Sequence, residues 1–98
     1  MAEHLVVIGG GNAAVDAART ALRRGASRVR IACVEAANEM PALVEEIGAA
    51  EHEGIQLFTR VRPVRLEKGA LVVAPMENGT EERLDAGLVI LAVGQDPD

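Results

Sequence analysis

The sequence predicts an α/β fold: a βαβαβ parallel sheet, then an antiparallel β-meander, then a final parallel strand. Three observations predict it. A short apolar run, Leu5-Val6-Val7-Ile8, opens onto three consecutive glycines, Gly9-Gly10-Gly11. Apolar residues then alternate between helical spacing and short continuous blocks, the pattern of helices packed on a buried parallel sheet. Hairpin-type pairs, Lys68-Gly69 and Asn78-Gly79, occur only in the second half, where the alternation changes.

Each element follows in order. Leu5 to Ile8 reads as a strand covered on both faces. From Asn12 to Arg24, apolar residues at Ala14, Ala17, Ala18, Ala21 and Leu22 keep helical spacing, and the alanines let the helix lie close to a sheet. Gly25 follows two arginines and stops it. Val29 to Val34 is the second strand, ending at Glu35. Ala36 to Met40 forms a loop, and Pro41 suits the first position of a second helix running to about Glu53. That helix should bury Leu43, Val44, Ile47 and Ala50 and expose Glu45, Glu46 and Glu53, with Gly48 as a weak point. Gly54 ends it, and Ile55 to Thr59 is the third strand, giving right-handed parallel crossovers. From Pro63 onward, Val64–Glu67, Ala70–Ala74 and Glu81–Leu84 read as a meander. Leu88 to Val93 reads as a last buried strand, ended by Gly94 and Pro97.

Composition sets the limits. A length of 98 residues makes one domain, residues 1–98. Hydrophobic residues are 49% and charged residues 26%, a globular balance. Phe58 is the only aromatic, so Val, Leu, Ile and Ala must build a thin core. Fifteen acids against ten bases, a net charge of −5, argue against nucleic acid as the main partner. Arginines cluster at 23, 24, 28 and 30, and again at 60, 62 and 65, and read as solvated surface. The single cysteine, Cys33, lies between apolar neighbours and reads as a small buried hydrophobe, which suits a reducing cytoplasm. No apolar run is long enough to span a membrane, and Met1-Ala2-Glu3 reads as a start followed directly by the domain. His4 and His52 stand apart and have no metal-ligand spacing with Cys33, and no acid–base pair has a catalytic arrangement.

The glycines carry the chemistry. Gly9-x-Gly11-x-x-Ala14 sits where a strand hands over to a helix, the dinucleotide-binding fingerprint of a Rossmann-type fold. Gly9 allows the sharp turn, Gly11 bares the backbone for a pyrophosphate, and Ala14 lets the helix pack on the strand. The anion meets the positive end of the helix dipole. The alternative is a glycine-rich turn with no ligand. Asn12 is placed either to cap the helix or to bond a phosphate oxygen. Asp16 is placed to pair with Arg19 three residues on, or to orient the loop. Glu35, at the end of the second strand, is an acceptor for ribose hydroxyls and would repel a 2′-phosphate; otherwise it is a solvated loop acid.

The string from Val7 to Arg19 resembles the second dinucleotide-binding segment of the glutamate synthase small-subunit family, whose relatives include the matching domain of dihydropyrimidine dehydrogenase. Glu39-Met40-Pro41-Ala42, Glu53-Gly54 and Leu91-Ala92-Val93-Gly94-Gln95-Asp96-Pro97 continue the likeness in order. The resemblance implies a nicotinamide-nucleotide domain of an FAD-dependent pyridine nucleotide oxidoreductase, passing hydride to a flavin held by an FAD domain absent from this chain. It implies a pyrophosphate role for Gly9, Gly11, Asn12 and Ala14, with Gly10 and Ala13 between them, and places the segment of Val93 and Gly94 near the nicotinamide. Val34 and Glu35 complete the expected cofactor-binding set, with no catalytic or metal-ligating residue. The family's Tyr-Arg-Arg run after the second strand grips the 2′-phosphate; here the same positions read Cys33-Val34-Glu35, which favours NAD(H) over NADP(H). The expected partners are a dinucleotide and an FAD domain or flavoprotein, with self-association of a stripped apolar surface. Other readings are an FAD- or mononucleotide-binding domain, and an interaction domain that has lost its ligand.

Overall fold

The computed structural model describes residues 4–35, 44–77 and 79–92, and for Val44 the backbone alone. Nine elements follow in chain order: β1 (His4–Ile8), α1 (Asn12–Arg23), β2 (Arg28–Ala32), α2 (Val44–His52), β3 (Gln56–Phe58), β4 (Val61–Glu67), β5 (Ala70–Pro75), β6 (Glu82–Asp85) and β7 (Leu88–Leu91). β3, β2, β1 and β7 form a parallel sheet in that order. β4, β5 and β6 form a separate antiparallel meander. This is the predicted Rossmann-type α/β fold.

Strand geometry turns this order into layers, because alternate residues face opposite sides. Leu5 and Val7 of β1, with Val29 and Ile31 of β2, pack with Ala14, Val15, Ala18 and Ala21 of α1 and with Ile47 and Ala50 of α2. Val6 and Ile8, with Ala32, pack on Leu71 and Val73 of β5 and Leu84 of β6. The sheet is thus covered by helices on one face and by the meander on the other. That is why all four residues of the Leu5–Ile8 run are buried. Both helices end alike. Gly25, at φ 108°, lets its own N–H reach Leu22 O and the Ala26 N–H reach Ala21 O. Gly54 and Ile55 close α2 onto Glu51 and Ala50 in the same way.

The fold departs from expectation in four places. β7 is not a fully buried strand: among the described residues it pairs only with β1, at the sheet edge, and Leu88 and Leu91 are 45% and 70% exposed. Val89 and Ile90 pack partly on the meander-side and helix-side cores, but among the described residues no strand pairs with the outer edge of β7. Asn78-Gly79 does not make a two-residue hairpin, because Val73 pairs with Glu82 and a longer connection joins β5 to β6; Asn78 itself lies outside the described residues. Lys68-Gly69 does turn β4 into β5, with Glu67 facing Ala70. Arg30 is not part of a solvated cluster. It lies on the meander side of β2, 6% exposed, with Nη1 donating to Asp85 O at 3.4 Å. Burial and the neighbouring charge of Arg28 lower its pKa, and Asp85 and Glu82 oppose them. Arg23, Arg24, Arg28, Arg60, Arg62 and Arg65 are exposed as expected.

The fourth departure ties the helices together. Arg19 does not pair with Asp16 but reaches across to α2, with Glu46 and Glu53 each at 2.9 Å. The two acids expected to be merely exposed on α2 therefore brace it against α1. Pairing with Arg19 holds the Glu53 carboxyl below its ordinary range. The Ala36–Met40 loop, Pro41 and the burial of Leu43 and Val44 lie outside the described residues. So do Met1-Ala2-Glu3 and the stop at Gly94 and Pro97.

Candidate functional site

The carboxyl ends of β1, β2 and β7 and the start of β4 converge on one cleft of about 210 Å³. Its floor is Ile8 to Gly11. One wall is Ala32 to Glu35, the opposite edge is Ala92, and Val61 and Pro63 close the meander side.

Gly9 makes this junction possible. Its N–H donates to Ala32 O at 2.9 Å, and the Ala92 N–H donates to Ile8 O at 2.8 Å, so three strands meet at the Ile8–Gly9 peptide. Gly9 has φ 143°, and a methyl group there would lie 2.6 Å from Ala92 O and 3.4 Å from Ala14 Cβ. Backbone conformation and crowding both demand glycine. Ala14 is fully buried beneath it, as the fingerprint requires. Gly11 is different: nothing lies within 4 Å of where its side chain would stand. The space above it belongs to the cleft.

α1 begins on this floor. Gly11 is its N-cap, with an extended backbone and a carbonyl that accepts from Ala14 N at 3.1 Å and Val15 N at 3.2 Å. Asn12 is therefore the first helical residue and does not cap, a correction to one of its two expected roles. No side chain makes a cap hydrogen bond, and no acid occupies the first turn, so the positive end of the helix dipole faces the cleft without a protein carboxylate of its own helix.

The β2 wall is held by the chain's change of direction. The Cys33 N–H donates to Phe58 O at 2.9 Å and Cys33 O accepts from Val61 N at 3.0 Å. Glu35 O accepts from Arg60 N at 3.0 Å. Arg60, at φ 55°, redirects the chain from the parallel sheet into the meander, and its guanidinium pairs with Glu77. The Glu35 side chain leans back over the loop: a methyl group on Gly10 would lie 2.7 Å from its Oε1. Cys33 is 3% exposed and its Sγ donates to Glu35 O at 3.5 Å. Burial, with the charge of Glu35, pushes its thiol up to about 11.

The cleft thus gathers five of the expected residues: Gly9, Gly10, Gly11, Val34 and Glu35. Ala14 lies under its floor. Asn12 and Ala13 are exposed at the helix start and do not line it. Val93 and Gly94 lie outside the described residues, next to Ala92, which does line it. Val61 and Pro63 went unforeseen. The sequence pattern starts the meander at Val64, whereas β4 begins at Val61, and a bulge between Pro63 and Arg65 lets a proline sit in an edge strand. Among the described residues no group of three or more His, Cys, Asp or Glu could hold a metal ion, and no helix is long and apolar enough to cross a membrane.

A parallel α/β sheet with a glycine floor at its carboxyl ends and a helix starting there defines the dinucleotide-fold class. Within that class the chain belongs to the pyridine nucleotide-disulphide oxidoreductase family, which it matches over residues 1–98. It is 32% identical to the glutamate synthase [NADPH] small chain of Azospirillum brasilense, covering 98% of this chain and 24% of that protein. It is likewise 32% identical to the NADPH-Fe(3+) oxidoreductase subunit beta of Geobacter sulfurreducens, over 100% of this chain and 18% of that one. Its fold superposes on the bacillithiol disulfide reductase of Bacillus cereus with a TM-score of 0.82 at 24% identity, covering all of this chain and 31% of that one. The chain spans about a quarter or less of the two relatives.

Proposed function

We propose that this chain is a single nicotinamide-dinucleotide-binding domain of a glutamate synthase small-chain-like flavoprotein oxidoreductase, presenting reduced nicotinamide to a flavin held by another domain. The observation that carries the reading is the cradle: a cleft floored by Gly9 to Gly11 at the start of α1, open over Gly11, with the Glu35 carboxylate lying against Gly10. Gly9, Gly10 and Gly11 receive the pyrophosphate, and Asn12, Ala13 and Ala14 shape the helix end behind it. Val34 and Glu35 take the adenosine side, and Val93 and Gly94, beyond Ala92, the nicotinamide side. When bound, the reduced nicotinamide supplies the hydride; the domain holds and orients it and needs no acid or base of its own.

The nucleotide is NAD(H) in preference to NADP(H). Two relatives carry NADPH in their names, so this preference rests on Glu35 alone. At about 5 Å and an effective dielectric near 20, a carboxylate opposes each unit of 2′-phosphate charge by on the order of 3 kcal/mol before screening. Their greater length supports a flavin-holding partner domain, and the exposed Leu66, Leu88 and Leu91 are the apolar surface for it to cover. A buried, protonated lone thiol suits a reducing cytoplasm.

Calorimetric titration with NADH and NADPH tests the proposal. We expect binding of about −4 to −6 kcal/mol for NADH, because a site open on one side leaves much of the ligand in water. Heat from neither nucleotide at millimolar concentration overturns it. A yellow protein as purified would instead favour the flavin-nucleotide reading.

A further inference from the structure

Gly10 is the fingerprint position to which no turn or helix packing assigns a task. Its φ is not in the left-handed region, and no backbone crowds it. What occupies the space where its side chain would stand is Glu35: Oε1 at 2.7 Å and the carboxyl carbon at 3.3 Å, with Cys33 Cβ behind at 3.4 Å. Gly9 and Gly11 answer to other constraints, a strand crossing at 2.6 Å in one case and open cleft in the other. The gap over Gly10 is therefore a seat for one carboxylate.

We propose that Gly10 is a specificity-determining positioning residue acting through Glu35: its missing side chain lets the carboxylate lie against the loop, where it discriminates between ribose hydroxyls and a 2′-phosphate. This rests on the reading of the cleft as a nicotinamide-nucleotide site. Coulomb repulsion falls with distance, so moving the carboxylate outward by a methyl group's width weakens its action on a 2′-phosphate. Hydrogen bonds to ribose hydroxyls are lost more abruptly, since they require contact within about 3 Å. A methyl group on Gly10 evicts the carboxylate without straining the backbone, because the atom it meets is the free end of a flexible side chain.

The test is a cycle of G10A, E35Q and the double variant, titrated with NADH and NADPH, with thermal melts to establish folding. Loss of the carboxylate in E35Q should shift the affinity ratio toward NADPH by about tenfold or more at low salt. G10A should shift it the same way by about five-fold, and the double variant should match E35Q alone, because a residue acting through another adds nothing once that other is gone. G10A weakening both nucleotides equally, with an unchanged ratio, would mean that the methyl group merely blocks the pyrophosphate, and overturns the inference while leaving the cleft reading intact. Additive shifts overturn it as well. An E35Q ratio equal to the parent's overturns both the inference and the specificity argument, and binding of neither nucleotide to the parent chain removes the functional reading beneath them. Should G10A melt below the assay temperature, Glu35→Asp keeps the proposal testable: its shorter arm must also shift the ratio toward NADPH.

Discussion

At the scale of single residues, two side chains on the β2 wall set the chemistry of the cleft in opposite ways. Glu35 brings a charge to the loop, and Cys33 withholds one. Replacing Glu35 by arginine converts repulsion of a 2′-phosphate into attraction with a planar donor. Glu35→Arg should reverse the order of NADH and NADPH affinities, read by the same titration; an unchanged order would place the side chain in solvent. For Cys33 the sign follows from the raised thiol. The unfolded chain ionises near pH 9 and the folded chain at about 11. The stability this contributes is complete below pH 9 and is lost as pH climbs through 11. Unfolding midpoints should fall over that window more steeply than in Cys33→Ala, and iodoacetamide should label the native thiol slowly at pH 8.

At the scale of elements, local pattern and tertiary placement divide what could be read in advance. β1, α1, β2 and the Gly25 stop follow from chemistry within a few residues, and they stand within a residue or two of their expected ends. Lys68-Gly69 is of the same kind. Arg30, Arg19 and β7 are not, because their surroundings come from distant parts of the chain. An arginine in alternation with Val29 and Ile31 reads as the wet side of a strand until β6 is laid over it. Arg19 has an acid three residues back, but α2 offers it two. Among the described residues the buried Arg30 makes one long hydrogen bond, and burial lowers its pKa, so its desolvation is poorly compensated. Arg30→Leu should therefore cost less than about 1 kcal/mol or stabilise the fold, measured by urea unfolding, whereas Leu71→Ala on the facing strand should cost about 2–5 kcal/mol. A loss from Arg30→Leu as large as that from Leu71→Ala would mean that the guanidinium organises the sheet–meander interface.

At the scale of the whole molecule, the centre of the parallel sheet is covered on both faces and its β7 edge carries exposed leucines among the described residues. Helices and meander enclose β1 and β2, while among the described residues β7 is an unpaired edge and Leu66, Leu88 and Leu91 are exposed. The block Leu88 to Val93 reads as buried because composition registers how apolar a strand is and is silent on what covers it. An uncharged edge strand with exposed apolar side chains pairs readily with another. Light scattering of the chain alone should show concentration-dependent self-association that Leu91→Lys reduces without lowering the melting temperature; a strictly monomeric parent at high concentration would mean that this edge is adequately protected by solvent alone. The floor of the cleft was legible, its meander wall was not, and for the same reason: the glycines announce themselves locally, while Val61 and Pro63 reach the site only through the turn at Arg60.

The most direct measurement is amide chemical-shift mapping of the ¹⁵N-labelled chain during a titration with NADH. The account predicts that the largest saturable shifts fall on Gly9 through Ala13 and on Val34 and Glu35, with the meander beyond Pro63 unmoved. Shifts scattered over the β7 edge, or a glycine loop left still while binding proceeds elsewhere, would contradict it.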